Sequence, residues 1–310
     1  MKKKIAALSM AACMAASVTA CGGSKPAETT AAATEAETTA AESAAEESSA
    51  EETKAAADIE TVTPGKLTVA TSPDFAPYEF YAIGEDGTPK LAGFDMDLAQ
   101  YIADYLGLEL EVVTVDFDGV ISELQTKSVD LGMAGLSPDE KRMGIMDFSD
   151  LYYMGGQSLV TVKDNAEKYN SFEAINKPDV SVGAQVGSIQ MDLANENSPE
   201  ADIVGLPKVT DIISELLTGK MDAAYIETDV AKSYQKNYPE LTLVMDVPYD
   251  AEGSAIGVCK GNEALLAGVN EAIAAAKEDG SLEKFIADAG ELAAGEKYEG
   301  LLDAEVNVQN

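Results

Sequence analysis

The chain has no histidine, three cysteines and a single arginine, and each scarcity narrows what it can do. Without histidine, histidine-based catalytic triads are excluded and zinc sites nearly so. Cys13 and Cys21 lie at the amino terminus and only Cys259 stands in the body, so no disulfide can form within a mature body. Cys259 lies in an apolar stretch beside Gly257 and reads as an inert buried thiol. Positive charge is scarce as well, with 21 Lys+Arg against 55 Asp+Glu and a net charge of −34. Most of that acidity falls beyond Val62, which argues against nucleic acid and against the body docking on anionic lipid. Small molecules and a protein surface remain as partners. From Gly22 to Asp58 there is no valine, isoleucine, leucine, methionine or aromatic residue, so this stretch has nothing with which to build a core. Asp95-x-Asp97 and Asp116-x-Asp118-Gly119 faintly resemble calcium loops, but the distal glutamate is missing, and helix capping is the better account. No metal or cofactor is expected.

The lone arginine, Arg142, sits in the run Ala134-Gly135-Leu136-Ser137-Pro138-Asp139-Glu140-Lys141-Arg142. A planar five-donor fork suits bidentate capture of a carboxylate, which makes Arg142 the first binding candidate. Ser137-Pro138-Asp139-Glu140 reads as a helix start, with Ser137 at the cap, Pro138 at the first helical position and Glu140 closing a capping box. Helix amides, the Ser137 hydroxyl and the guanidinium would then converge on one anion. The plainer alternative is a surface arginine paired with Asp139 or Asp147.

Lys2, Lys3 and Lys4 precede a small apolar stretch, Ile5 to Val18, which is too short to span a bilayer comfortably and describes a secretory signal over residues 1–20. Val18-Thr19-Ala20-Cys21 resembles a bacterial lipobox, which implies cleavage before Cys21 and lipid on that residue. An ordinary signal with a chance cysteine is the alternative. Residues 21–62 then form a flexible tether, whose roughly forty residues would reach about 35 Å.

In the body, apolar strands alternate with amphipathic helices, which implies parallel α/β sheets. Strands are expected at Leu67–Thr71, Leu110–Val115 and Val129–Ala134, with helices at Phe94–Leu106 and Asp118–Thr126. A second alternating set has strands at Val180–Ala184, Ile203–Leu206 and Ala223–Glu227, with helices from Ser188 and over Asp211–Thr218. Gln157–Val162 and Ser254–Val258 bracket that set as two extended connections, and helices close the chain at Asn262–Asp279 and Ser281–Ala289. Ligand groups are expected at strand carboxyl ends, where Ser72, Phe117 and Ser137 fall.

Four segments carry a family resemblance: Val69 to Phe80 (VATSPDFAPYEF), Gly93 to Ala99 (GFDMDLA), Asp116 to Ile121 (DFDGVI) and Ala134 to Tyr153 (AGLSPDEKRMGIMDFSDLYY). In that order, from about Lys66 to Ala289, the chain resembles the bacterial extracellular solute-binding proteins of family 3, which serve polar amino-acid ABC importers. The resemblance implies a periplasmic-binding-protein-like fold, with two α/β lobes joined by a two-strand hinge: residues 63–157 with 253–310 as one lobe and 158–252 as the other. It also implies a monomeric, lipid-anchored binding protein on the outer face of the cell membrane that hands its ligand to an ABC permease, without catalysis, cofactor or nucleic acid.

A free amino acid is a zwitterion, and a closing cleft must pair both charges. Arg142 would take the carboxylate, together with Gly135 and Ser137. The resemblance assigns the ammonium to Glu227, where relatives more often carry aspartate. Glu227 also reads as the cap of a helix starting near Thr228, and Asp229 is its nearest competitor. Phe75 and Phe117 occupy the positions of the aromatic rings beside the ligand side chain, although each alone would read as core. Gly187 and Ser188 open a helix whose amides could meet the carboxylate from the second lobe. Ser72 stands three residues before Phe75, where binders of basic ligands carry aspartate, so an uncharged polar side chain is expected first, a basic one next (through Asp74 or Glu79) and an acidic one last. Two rivals bind or react on the same fold: a cyclohexadienyl-type dehydratase and an amino-acid-sensing module for signalling.

Overall fold

The computed structural model describes residues 59–84, 87–250 and 253–295. The signal, Cys21 and most of the tether, together with residues 296–310 of the first expected lobe, lie outside the described residues.

Thirteen strands are present among the described residues: β1 (Lys66–Thr71), β2 (Asp74–Phe75), β3 (Glu79–Ile83), β4 (Pro89–Ala92), β5 (Glu109–Thr114), β6 (Leu131–Gly132), β7 (Met146–Phe148), β8 (Gln157–Val162), β9 (Ser181–Gln185), β10 (Asp202–Leu206), β11 (Ala223–Glu227), β12 (Leu241–Asp246) and β13 (Gly257–Cys259). They form two five-stranded sheets, ordered β5-β1-β6-β13-β7 and β10-β9-β11-β8-β12, and a small meander, β2-β3-β4. In each large sheet four strands run in one direction and a single strand, β13 in the first and β8 in the second, runs against them, so the two are built to one plan. The parallel strands read as almost unbroken apolar runs because helices cover both faces: β1 is buried from Leu67 to Thr71 and β11 along its whole length.

The helix Phe94–Leu106 buries Phe94, Leu98 and Ile102 at helical spacing and packs against the helices Glu263–Glu278 and Ser281–Gly295. Phe117–Gln125 covers β1, β6 and β13 through Val120 and Leu124. In the second sheet Ile189–Asn197 and Val209–Thr218 follow β9 and β10, and Thr228–Asn237 follows β11.

Several expectations need correction. Gln157–Val162 is no connection but a strand of the second sheet, paired antiparallel with β11 and β12. The chain crosses earlier, over residues 149–156, and returns between β12 and β13, where residues 247–250 and 253–256 are described. The two crossings meet in an antiparallel bridge between Tyr153 and Ser254, with Tyr152 N–H donating to Ser254 O at 2.9 Å and Ser254 N–H to Tyr153 O at 2.8 Å. Val129–Ala134 contributes only Leu131–Gly132 as strand, because β6 pairs with β1 over just two residues. Ser137 caps no helix: the cap is Asp139, whose carboxylate accepts the Arg142 N–H at 2.8 Å, and the helix is the single turn Glu140–Met143. A charged acceptor two residues later outcompetes the hydroxyl.

Candidate functional site

The single turn Glu140–Met143 aims Arg142 inward, where only 6 % of it is exposed. Asp139 holds the guanidinium from behind, with Nε 3.1 Å from Oδ2, so the pairing named in the plainer reading is present, on a side chain that is buried and not at the surface. Nη1 donates to Ser137 O at 2.9 Å, and Nη2 donates to Gly187 O at 3.0 Å on the other lobe. The Phe117 ring lies 5.5 Å from the guanidinium carbon. Burial lowers the Arg142 pKa, while Asp139 and Asp192 oppose that shift. Gly187 has φ +78°, and a Cβ there would stand 3.2 Å from the Asp118 Cβ, so a bare backbone is needed where the lobes touch. Ser188 next to it is the N-cap of Ile189–Asn197, donating to Gln185 O at 2.7 Å and accepting from Met191 N–H at 3.3 Å.

At the other end, Glu227 closes β11 and is 4 % exposed. Its Oε2 accepts the Val230 N–H at 2.7 Å and its Oε1 the Gly156 N–H at 3.3 Å, so it is also the cap of Thr228–Asn237. Burial pushes its pKa up to about 7, against the pull of the Val230 amide. Asp229 is engaged elsewhere, accepting from Tyr153 OH at 2.8 Å and Lys232 Nζ at 2.9 Å. A Cβ on Gly155 would fall 2.5 Å from Glu227 Oε1 and 2.9 Å from Tyr78 OH, so the carboxylate and the phenol converge over a residue with no side chain. Tyr78 was not found from the sequence, although its place after a proline beside Phe75 was the available signal.

Between these ends run contacting groups. Phe75 stacks at a tilt on Tyr78, centroids 5.3 Å apart, and crowds Gly135, where a Cβ would meet its ring at 2.8 Å. Gly135, at φ +56°, donates its N–H to Asp95 Oδ2 at 3.2 Å, which commits that amide to the core. The aromatic pair therefore divides: Phe75 belongs with Tyr78 and Gly135, and Phe117 with Arg142 and Gly187. Ser72 Oγ donates to Asp74 Oδ1 at 2.8 Å, and Asp74 Oδ2 accepts from Gln185 Nε2 at 3.3 Å. Glu79 is fully buried beside Asp95, and burial followed by that neighbour's charge drives its pKa well above the carboxylate range.

Chemically, this is one buried guanidinium and one buried carboxyl group, with rings and short polar groups beside them. Among the described residues, no three acidic or cysteine side chains are grouped to hold a metal.

Residues 67–288 match the profile of the bacterial extracellular solute-binding proteins, family 3. The arginine-binding extracellular protein ArtP of Bacillus subtilis is 34 % identical over 224 residues, covering 71 % of this chain and 84 % of that protein. Among solved structures, the amino acid ABC transporter substrate-binding protein AbpA from Streptococcus pneumoniae, bound to L-arginine, superposes with a TM-score of 0.72 at 34 % identity, covering 75 % of this chain and 97 % of that one. The ancestral amino acid-binding protein AncCDT-1, a precursor of cyclohexadienyl dehydratase, gives 0.65 at 34 % identity, covering 72 % and 94 %.

Proposed function

Because the chain belongs to the bacterial extracellular solute-binding proteins, family 3, we propose that it captures a polar amino acid between two α/β lobes and delivers it to an ABC importer. In this reading residues 63–157 with 253–310 are one lobe and 158–252 the other, the crossings meeting near Tyr153 and Ser254. The observation that carries it is the pair of buried groups that suit a zwitterion, the Arg142 guanidinium and the Glu227 carboxyl, 6 % and 4 % exposed. Arg142 takes the α-carboxylate, with Ser137 and the Gly187-Ser188 turn around it. Glu227 and Tyr78 take the ammonium. Phe75, Phe117 and Ser72 flank the side chain.

The preferred side chain is cationic. ArtP is named for arginine and AbpA is bound to it. The chain carries a net charge of −34, and such a field concentrates cations. This revises the first expectation from Ser72, which was an uncharged ligand. A thermal-shift screen over the common amino acids tests the reading: a ligand at a hundredfold its Kd adds about 2.7 kcal/mol. Arginine is expected to shift the transition furthest, glutamine less and glutamate least. No shift with any amino acid overturns the reading.

The protein works as a monomer held to the outer face of the membrane by lipid on Cys21, with a permease as its protein partner and no nucleic acid. It is a binding protein; a signalling sensor would bind identically, and a permease encoded beside it argues for transport. One feature favours a second, catalytic reading: burial pushes the Glu227 pKa up to about 7, which suits a general acid for elimination. AncCDT-1 is described as a precursor of such an enzyme. Incubation with arogenate or prephenate, followed by a search for the aromatic product, separates the two.

A further inference from the structure

The helix Val209–Thr218 begins without a cap of its own. Its N-cap residue, Lys208, supplies no side-chain hydrogen bond, since an ammonium can only donate. The first amide of the helix, Val209 N–H, instead donates to Asp74 Oδ2 at 2.5 Å, and Asp74 belongs to β2, on the meander that packs with the first sheet's helices. The same oxygen accepts from Gln185 Nε2, whose amide also donates to Pro207 O at 3.0 Å, in the turn leading into the helix. The Asp74 carbonyl accepts Tyr234 OH at 2.9 Å, from the helix Thr228–Asn237. Ser72 fixes the remaining carboxylate oxygen from its own side, and the whole residue is 8 % exposed. One residue of the first lobe thus gathers β9, the start of Val209–Thr218 and Thr228–Asn237 of the second.

We propose that Asp74 is a helix cap in trans: a positioning residue that binds the N-terminus of Val209–Thr218 across the cleft and thereby sets how readily the lobes close, and with it the affinity for every ligand. A carboxylate at a helix N-terminus meets both an orphan amide and the positive end of the helix dipole. Both Asp74 side-chain bonds to the second lobe exist only while the lobes touch, so separating them leaves a helix start and a carboxylate to be solvated apart. Closure is what the ligand must drive, and a latch that favours the closed form raises apparent affinity without touching the ligand. This assigns Asp74 away from the side-chain partner considered from the sequence. The affinity arm of its test rests on the amino-acid reading; the exchange arm does not.

Asp74→Ala and Asp74→Asn are compared with the unaltered protein, reading amide hydrogen exchange by NMR and the affinities for L-arginine and L-glutamine by calorimetry. The alanine variant is expected to speed exchange at Val209 selectively, leaving Ile212, which donates to Lys208 O inside the helix, as it was. It should weaken arginine and glutamine alike, by about five- to tenfold, the usual worth of a cap. The asparagine variant keeps an acceptor oxygen and should recover most of both effects. Unchanged Val209 exchange in the alanine variant overturns the cap. A loss confined to arginine, with asparagine no better than alanine, overturns it in favour of a charge contact with the ligand. If the unaltered protein binds no amino acid, the functional reading fails while Val209 exchange still decides the cap.

Discussion

Arg142 and Glu227 carry the predictions at the scale of single residues. Arg142→Ala removes a planar fork that is buried and bonded on three sides, and calorimetry should show a loss of about 2–5 kcal/mol in ligand binding. Arg142→Lys keeps the charge and loses the fork, so it should remain clearly weakened. Unchanged affinity in the alanine variant removes Arg142 from the site. Glu227 predicts a pH dependence. Its pKa stands at about 7 because burial disfavours the carboxylate, and an arriving ammonium reverses that preference, so binding below pH 7 must expel a proton. Affinity should rise with pH up to about 7 and level off above it. Glu227→Gln should weaken binding and flatten the profile; calorimetry in two buffers of different ionisation enthalpy reads the proton directly. Both residues were legible in the sequence, one as the only arginine and the other through its motif. Tyr78 was not, because nothing along the chain brings its phenol to Gly155 and Glu227; only the tertiary fold does.

Among the elements, the turns that meet at the cleft are the sensitive parts. Gly155 lies on the first crossing, and Gly155→Ala would drive a methyl group into Glu227 and Tyr78. Ligand affinity is expected to fall by tenfold or more, about 1.4 kcal/mol, while urea unfolding shows a smaller change; equal affinity would mean that Glu227 does not hold the ligand where it stands. Ser188→Ala should cost about 1 kcal/mol of stability through loss of the cap of Ile189–Asn197, seen as a lower denaturation midpoint. Most element positions were readable from periodicity, and Ala223–Glu227 falls on the residues expected. The role of Gln157–Val162 was not, since an apolar β-branched run reads the same whether it connects two sheets or joins one. The meander β2-β3-β4 escaped notice because its strands are short and flanked or opened by prolines, and its pairing depends on partners set by the fold.

For the whole molecule, buried acids set the response to pH. Asp74 and Asp95 are held at about 6, Glu227 at about 7 and Glu79 well above its ordinary value, in each case mainly by burial. The fold thus binds protons that the unfolded chain releases, so this stability is full below about pH 4 and is lost as pH rises through 6 to 7. The ligand-free protein should melt several degrees lower at pH 8 than at pH 5, and Glu79→Gln, neutral at every pH, should reduce that difference; a transition temperature that rises with pH contradicts the assignment. At the amino terminus, mass spectrometry of the mature protein should find Cys21 first and lipid-modified, and an unmodified Cys21 inside a longer chain would refute the anchor. What the sequence by itself determined is local or compositional: the alternation of strands and helices, the family motifs, the lone arginine and the net acidity, all written in neighbouring residues or in counts. Only the tertiary structure decided which acid answers to which partner. Asp74 met Val209 and Gln185, and Asp95 met Gly135, while Glu227 rather than Asp229 came to Tyr78. The reason is physical: a carboxylate's role depends on its burial and on the donors around it, and here those donors come from segments as many as 135 residues away.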